Sequence, residues 1–230
     1  MQANRLFRSQ LALVITASVF FCLAAQAQDT PSQNARFATL LPLLAQIQSQ
    51  DGDSANITQA VADIVSLTAN IDDYVAAGKI KATPDLQRSI DSYRNLIAHV
   101  LEHDNEDERY AALQRIRDDA RLKWNYVDSQ AGFSPFVRSL HIRVYIKTVR
   151  KGISAPGYSV ACFSLADLDF HPDKPSYPFA SDTNNASMDM MPGEYQCRLE
   201  KGGKFVGAHA LPVGAAKNAT QESTFDVSNF

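Results

Sequence analysis

The apolar residues of this chain change their spacing once, after Pro135, and that change divides what its two halves can fold into. Upstream, apolar positions recur every three or four residues, the period of a helix with one buried face. Downstream, Leu140, Ile142, Val144 and Ile146 alternate with His141, Arg143, Tyr145 and Lys147, a period of two that a helix cannot satisfy. One chain must therefore build two kinds of layer.

The helical half resolves into four segments. Phe37, Leu40, Leu41, Leu44 and Ile47 predict a short first helix that Pro42 either kinks or starts late. Asp53 or Ser54 can cap a second helix, whose stripe runs Ile57, Ala60, Val61, Ile64, Leu67, Thr68, Ile71 and Val75 and ends before Gly78. Thr83-Pro84 opens a third, with Leu86, Ile90, Tyr93, Ile97, Val100 and Leu101 facing inward. Asn105 and Glu108 resemble a capping box before a fourth, striped by Tyr110, Leu113, Ile116, Ala120, Trp124 and Val127. Short connections between such helices predict an antiparallel bundle.

In the second half, strands are expected at Tyr158–Leu165, Met188–Met191, Glu194–Glu200 and Lys204–Leu211, with a last strand around Phe225 and Val227. A polar loop is expected between the first two. The fold class predicted is α+β: an N-terminal antiparallel helical bundle over 28–133, then a small antiparallel β-sandwich over 134–230.

Ahead of both lies a stretch with the parts of a secretory signal. Arg5 and Arg8 form a basic start, Leu11–Ala25 is an unbroken apolar run, and Ala25-Gln26-Ala27 fits a cleavage site. Residues 1–27 are expected to be removed, leaving a periplasmic or secreted protein with no retained transmembrane segment. The run is shorter than the roughly 20 residues that span a bilayer. Losing Arg5 and Arg8 takes the 22 basic residues to 20 against 25 acidic ones, a net charge of −5. The helical half holds 10 basic and 16 acidic residues and the β half 10 and 9. An acidic half beside a near-neutral one argues against nucleic-acid binding, which needs a basic face.

Cys22 is expected to be discarded with the signal, which would leave Cys162 and Cys197, both in predicted strands on faces with large apolar neighbours. An even number in an oxidising compartment predicts one disulfide, with Cα atoms about 4.4–6.8 Å apart. Such a bridge restricts the unfolded chain by about 4 kcal/mol. Lying wholly after Ser134, it is expected to support the β half alone.

The strands HIRVYIKTV (141–149) and GYSVACFSL (157–165), the run MMPGEYQCRLEKGG (190–203) and the closing TFDVS (224–228) are similar to those of small transthyretin-like and carboxypeptidase-regulatory-like sandwich modules. The likeness covers about the last 90 residues and none of the helices. It implies a non-catalytic accessory or binding module, by analogy of fold.

One chemical motif competes with that reading. His99-Val100-Leu101-Glu102-His103 is an HxxEH string on the third helix, whose two histidines share a face and could hold zinc, with Glu102 as general base. A carboxylate ligand from a neighbouring helix is missing from the pattern, and the string ends its helix, where the macrodipole favours histidine anyway. The acidic run 104–108 lacks calcium-loop spacing and suits a helix start. Met188, Met190 and Met191 with His171 could suggest copper but fit core packing better. No nucleophile elbow or phosphate-binding glycine loop is present, so no cofactor is expected. Three readings follow: an exported, non-catalytic accessory protein whose sandwich contacts a protein, peptide or glycan; a metal-dependent hydrolase built on His99, Glu102 and His103; or a structural envelope protein.

Overall fold

The computed structural model of the protein describes residues 35–103, 105–131, 140–214 and 219–229. The expected signal over 1–27, with Cys22, and also Asp104 and the expected boundary at 133/134, lie outside the described residues. A single 3-10 turn, Phe37–Leu40, runs into α1 (Leu41–Gln50), followed by α2 (Ala55–Ala76), α3 (Pro84–Leu101) and α4 (Glu106–Ala131). Pro42 starts α1 rather than kinking it. Ser54 Oγ accepts from Ile57 N and caps α2, Thr83 Oγ1 accepts from Leu86 N and caps α3, and Asn105 Oδ1 accepts from the backbone of Asp107 and Glu108 ahead of α4. Gly78, just past α2, has φ +68°, a value that costs a side-chain-bearing residue more than glycine. The stripes face inward as their spacing requires, except that Leu41 is 43% exposed.

Two four-stranded sheets make up the β half. In the first, β1 (Ile142–Arg150) pairs antiparallel with β2 (Ile153–Ser154) and with β5 (Ala186–Met190), and parallel with β8 (Thr220–Asp226). In the second, β4 (Tyr177–Pro178), β3 (Ser159–Ser164), β6 (Gly193–Lys201) and β7 (Lys204–Val213) are antiparallel in that order. The parallel β8 departs from the wholly antiparallel expectation, for a geometric reason. β7 ends with Val213 opposite Gly193, and β8 begins with Thr220 opposite Arg143, so the chain changes sheets at the end where β1 also begins. The expected polar loop also holds a short helix, α5 (Leu165–Phe170), and β4.

Cys162 and Cys197 are disulfide-bonded across 35 residues. Their Cα atoms are 3.9 Å apart, closer than the range expected from disulfides generally. The two are directly opposed partners on neighbouring antiparallel strands. Both are fully buried with Ile142, Val144, Ile146, Leu199 and Val213. That cluster continues without a break into Leu86, Ile97, Leu113 and Ile116 of the helices. Residues Arg36–Phe230 accordingly form one compact unit.

Candidate functional site

Titratable side chains are gathered where α3 and α4 meet the starting ends of β1, β4 and β6. On α4, Ile116, Ala120, Lys123 and Val127 fall at helical spacing on the buried face, so Lys123 is carried inward and its side chain is 1% exposed. A buried ammonium is costly unless paired. Its partner is Asp119, one turn earlier, whose Oδ2 also accepts from the Tyr93 hydroxyl of α3. Asp119 Oδ1 accepts from the backbone N–H of Glu194 at 2.8 Å. One carboxylate thus joins α3, α4 and β6.

The approach of Asp119 explains a glycine. A Cβ at Gly193 would stand 2.2 Å from Asp119 Oδ1 and 3.1 Å from Lys123 Nζ. Pro192-Gly193-Glu194-Tyr195, a turn followed by a strand in the sequence, is therefore the seat on which α4 docks.

A second set of bonds lies beside the first. Asp85, in the first turn of α3, receives His141 Nε2 at 3.0 Å, the Tyr177 hydroxyl at 3.3 Å and Arg88. Tyr177 Oη accepts from Met191 N at 3.2 Å, while Tyr195 donates its hydroxyl to Met191 O at 3.0 Å. The Tyr177 and Tyr195 rings meet edge to face at 5.5 Å. Burial pushes the Asp85 carboxyl upward, but the bonds from His141 and Arg88 and the Arg88 charge outweigh it and hold the carboxyl below its usual value. Burial pushes Tyr177 up to about 12, and it raises Tyr93 and Tyr195 well above 10, helped by Asp119 and by other nearby phenols. Glu194 is raised by burial and by Asp119 and Asp118, with Lys123 opposing.

Perturbed groups in a cleft are a reason to look for catalysis. The phenols here are held protonated, as donors rather than bases. The Lys123 ammonium and the Asp119 carboxylate are spent on each other, on Tyr93 and on Glu194 N–H. The cavity among these residues measures about 50 Å³. At roughly 10–15 Å³ per water it has room for about three to five, far short of the ~300 Å³ where ligand pockets begin. The arrangement fastens helices to strands.

The HxxEH residues lie elsewhere. His99, Glu102 and His103 are all exposed at the end of α3. The two imidazole rings are 5.0 Å apart, and His99 also meets the ring of Phe170 on α5 edge to face at 5.5 Å. The His103 carbonyl accepts from Arg109 Nη1 at 2.5 Å, and Arg109 forms a buried ion pair with Asp51. Among the described residues no group of three metal-ligating side chains converges, there or anywhere else. Met190 and Met191 are buried in the core, and His171 is exposed. The spacing that carries Lys123 onto the apolar stripe was the available signal for the junction, and the sequence reading missed it.

Comparison with family models, with curated proteins and with solved structures finds no match to this chain.

Proposed function

We propose that this is an exported, non-catalytic accessory protein whose sandwich binds an extended segment of a partner protein along the open edge of β7. The observation that carries this reading is the edge itself. Among the described residues β7 forms its strand ladder with β6 alone, in nine partner pairs, and has no ladder with β8. Contacts between β7 and β8 include the stacked rings of His209 and Phe225 at 4.7 Å and a bond from Gln221 Nε2 to Pro212 O. Edge strands usually carry charges or prolines that deter pairing. In β7 these stand at the two ends, as Lys204 and Pro212, with a register shift near the first; between them the exposed Ala208 and Ala210 are small side chains that leave room for an approaching strand. Strand addition takes affinity from main-chain hydrogen bonds along such an edge. The likeness to transthyretin-like modules and the disulfide support the same reading. No helix among the described residues is long and apolar enough to cross a membrane, as an exported protein without a retained anchor requires.

Site-specific photo-crosslinking tests it. A photoreactive residue at Ala208, introduced in the producing cell, is expected to give one discrete adduct that Ala210→Lys abolishes without lowering Tm. An absent adduct, together with peptide or ester hydrolysis that disappears in His99→Ala and His103→Ala, would favour the hydrolase instead.

A further inference from the structure

Two hairpins project from the end of the sandwich opposite the helices. β1 starts beside His141, which is bonded to Asp85 of α3, and β6 starts at Gly193, against Asp119 of α4. Both strands run away from the helices for nine residues, roughly 26 Å at ~3.3 Å per step. Each then turns through two residues of positive φ, Lys151-Gly152 (51° and 77°) and Gly202-Gly203 (58° and 72°), the tight reversal that suits twisted strands. Tyr158 ties the two tips to one place: Arg150 Nη2 donates to its hydroxyl at 3.5 Å, and Lys201 Nζ lies 4.5 Å from its ring centroid.

These tips carry the two most exposed large apolar side chains among the described residues, Ile153 at 73% and Phe205 at 63%. Beside them stand Lys151, Lys201 and Lys204, all exposed. The stretches 150–155 and 201–206 contain no acidic residue, although the chain as a whole is net acidic. Glu200 lies opposite Phe205 and Asp226 opposite Val149 on the strands behind the tips.

From this we infer that the far end of the sandwich docks on an anionic lipid surface, with Ile153 and Phe205 entering the interface and the lysines meeting headgroup phosphates. The shape favours a bilayer over a folded partner. Two hairpin tips held side by side through Tyr158, each with one exposed apolar side chain and neighbouring lysines, can both meet a planar, deformable interface at once. Aromatic and aliphatic side chains ringed by lysines are the composition that interfacial binding uses. This inference does not depend on strand addition at β7: Ala208→Lys and Ala210→Lys are expected to leave lipid binding unchanged.

Vesicle flotation of the chain from Gln28 onward tests it, since that chain keeps the compact unit and lacks the apolar leader that would itself enter lipid. Vesicles of phosphatidylcholine alone are compared with vesicles containing phosphatidylglycerol. Binding is expected only to the anionic vesicles and is expected to weaken as salt rises. Ile153→Ser and Phe205→Ser should each lower the partition coefficient about ten-fold. Lys201→Glu with Lys204→Glu should lower it further than neutral replacements do, all at unchanged Tm. Failure to bind anionic vesicles, equal binding to neutral ones, or binding untouched in the Ile153→Ser/Phe205→Ser double variant would each overturn the inference.

Discussion

At the helix-facing end of the sandwich Lys123 is sealed against Asp119 and Tyr93, whereas at the far end Lys201 lies over the Tyr158 ring with its charge in solvent. Gly193 is needed at the first end because a carboxylate fills the space of its side chain. Gly202 and Gly203 at the second have open space around them and serve the turn. Tyr195 and Tyr177 donate inward at one end, and Tyr158 receives Arg150 at the other. The same residue types thus act as fasteners where another layer covers them and as display where none does. Stability should depend on the first end and surface association on the second.

The largest break in this contrast comes from Asp119→Ala. It strands Lys123 in the interior and removes the acceptor for Tyr93 and Glu194 N–H, so denaturant titration is expected to show a loss of about 3–5 kcal/mol. Adding Lys123→Met should return part of that loss, because the uncompensated charge is then gone.

Raising the pH acts on the same end. Tyr93, Tyr177 and Tyr195 have folded-state pKa values above the unfolded value of 10. Their contribution is complete below pH 10 and is lost as pH rises through the folded values, because only the unfolded chain can release those protons. Each phenol that resists ionisation costs about 1.4 kcal/mol per pH unit above 10. Phenolate absorbance should accordingly rise in two steps, the later one coinciding with unfolding. A single step with all eight tyrosines ionising near pH 10 would show the junction to be open to water.

Gly193→Ala should cost about 1–3 kcal/mol by forcing Asp119 away from its seat. The smallest effect belongs to the far end. Ile153→Ser and Phe205→Ser should change stability by no more than about 0.5 kcal/mol, as exposed side chains do. A larger loss at either position would mean that the tips are covered.

The helix stripes were legible because tertiary packing and local period demand the same faces: Ile57, Ile64, Leu86, Ile97, Leu113 and Ile116 are buried where spacing put them. The strand faces of Tyr195, Cys197 and Leu199 were legible for the same reason. The direction of β8 was not, since its strand partner β1 lies far upstream in the chain and leaves no local trace. Nor was the Asp119 junction. Aspartate and lysine four residues apart read as a solvated helix pair until β6 is laid across them, and only the position of Lys123 on the apolar stripe hinted otherwise. Cys162 and Cys197 were legible as cysteines in apolar strands, but their direct opposition depends on the β3–β6 register. The expectation that the bridge supports the β half alone stands against a buried core that the helices share with both cysteines.

Helices and strands are expected to unfold as one body fastened at Asp119. Hydrogen exchange followed by mass spectrometry across a denaturant series measures this directly, comparing peptides from α3 and α4 with peptides from β6 and β7. The account predicts one midpoint for both groups, lowered equally by Asp119→Ala and by reduction of the Cys162–Cys197 bridge. Two separated midpoints, with Asp119→Ala shifting the helical peptides and leaving the strands in place, would contradict it.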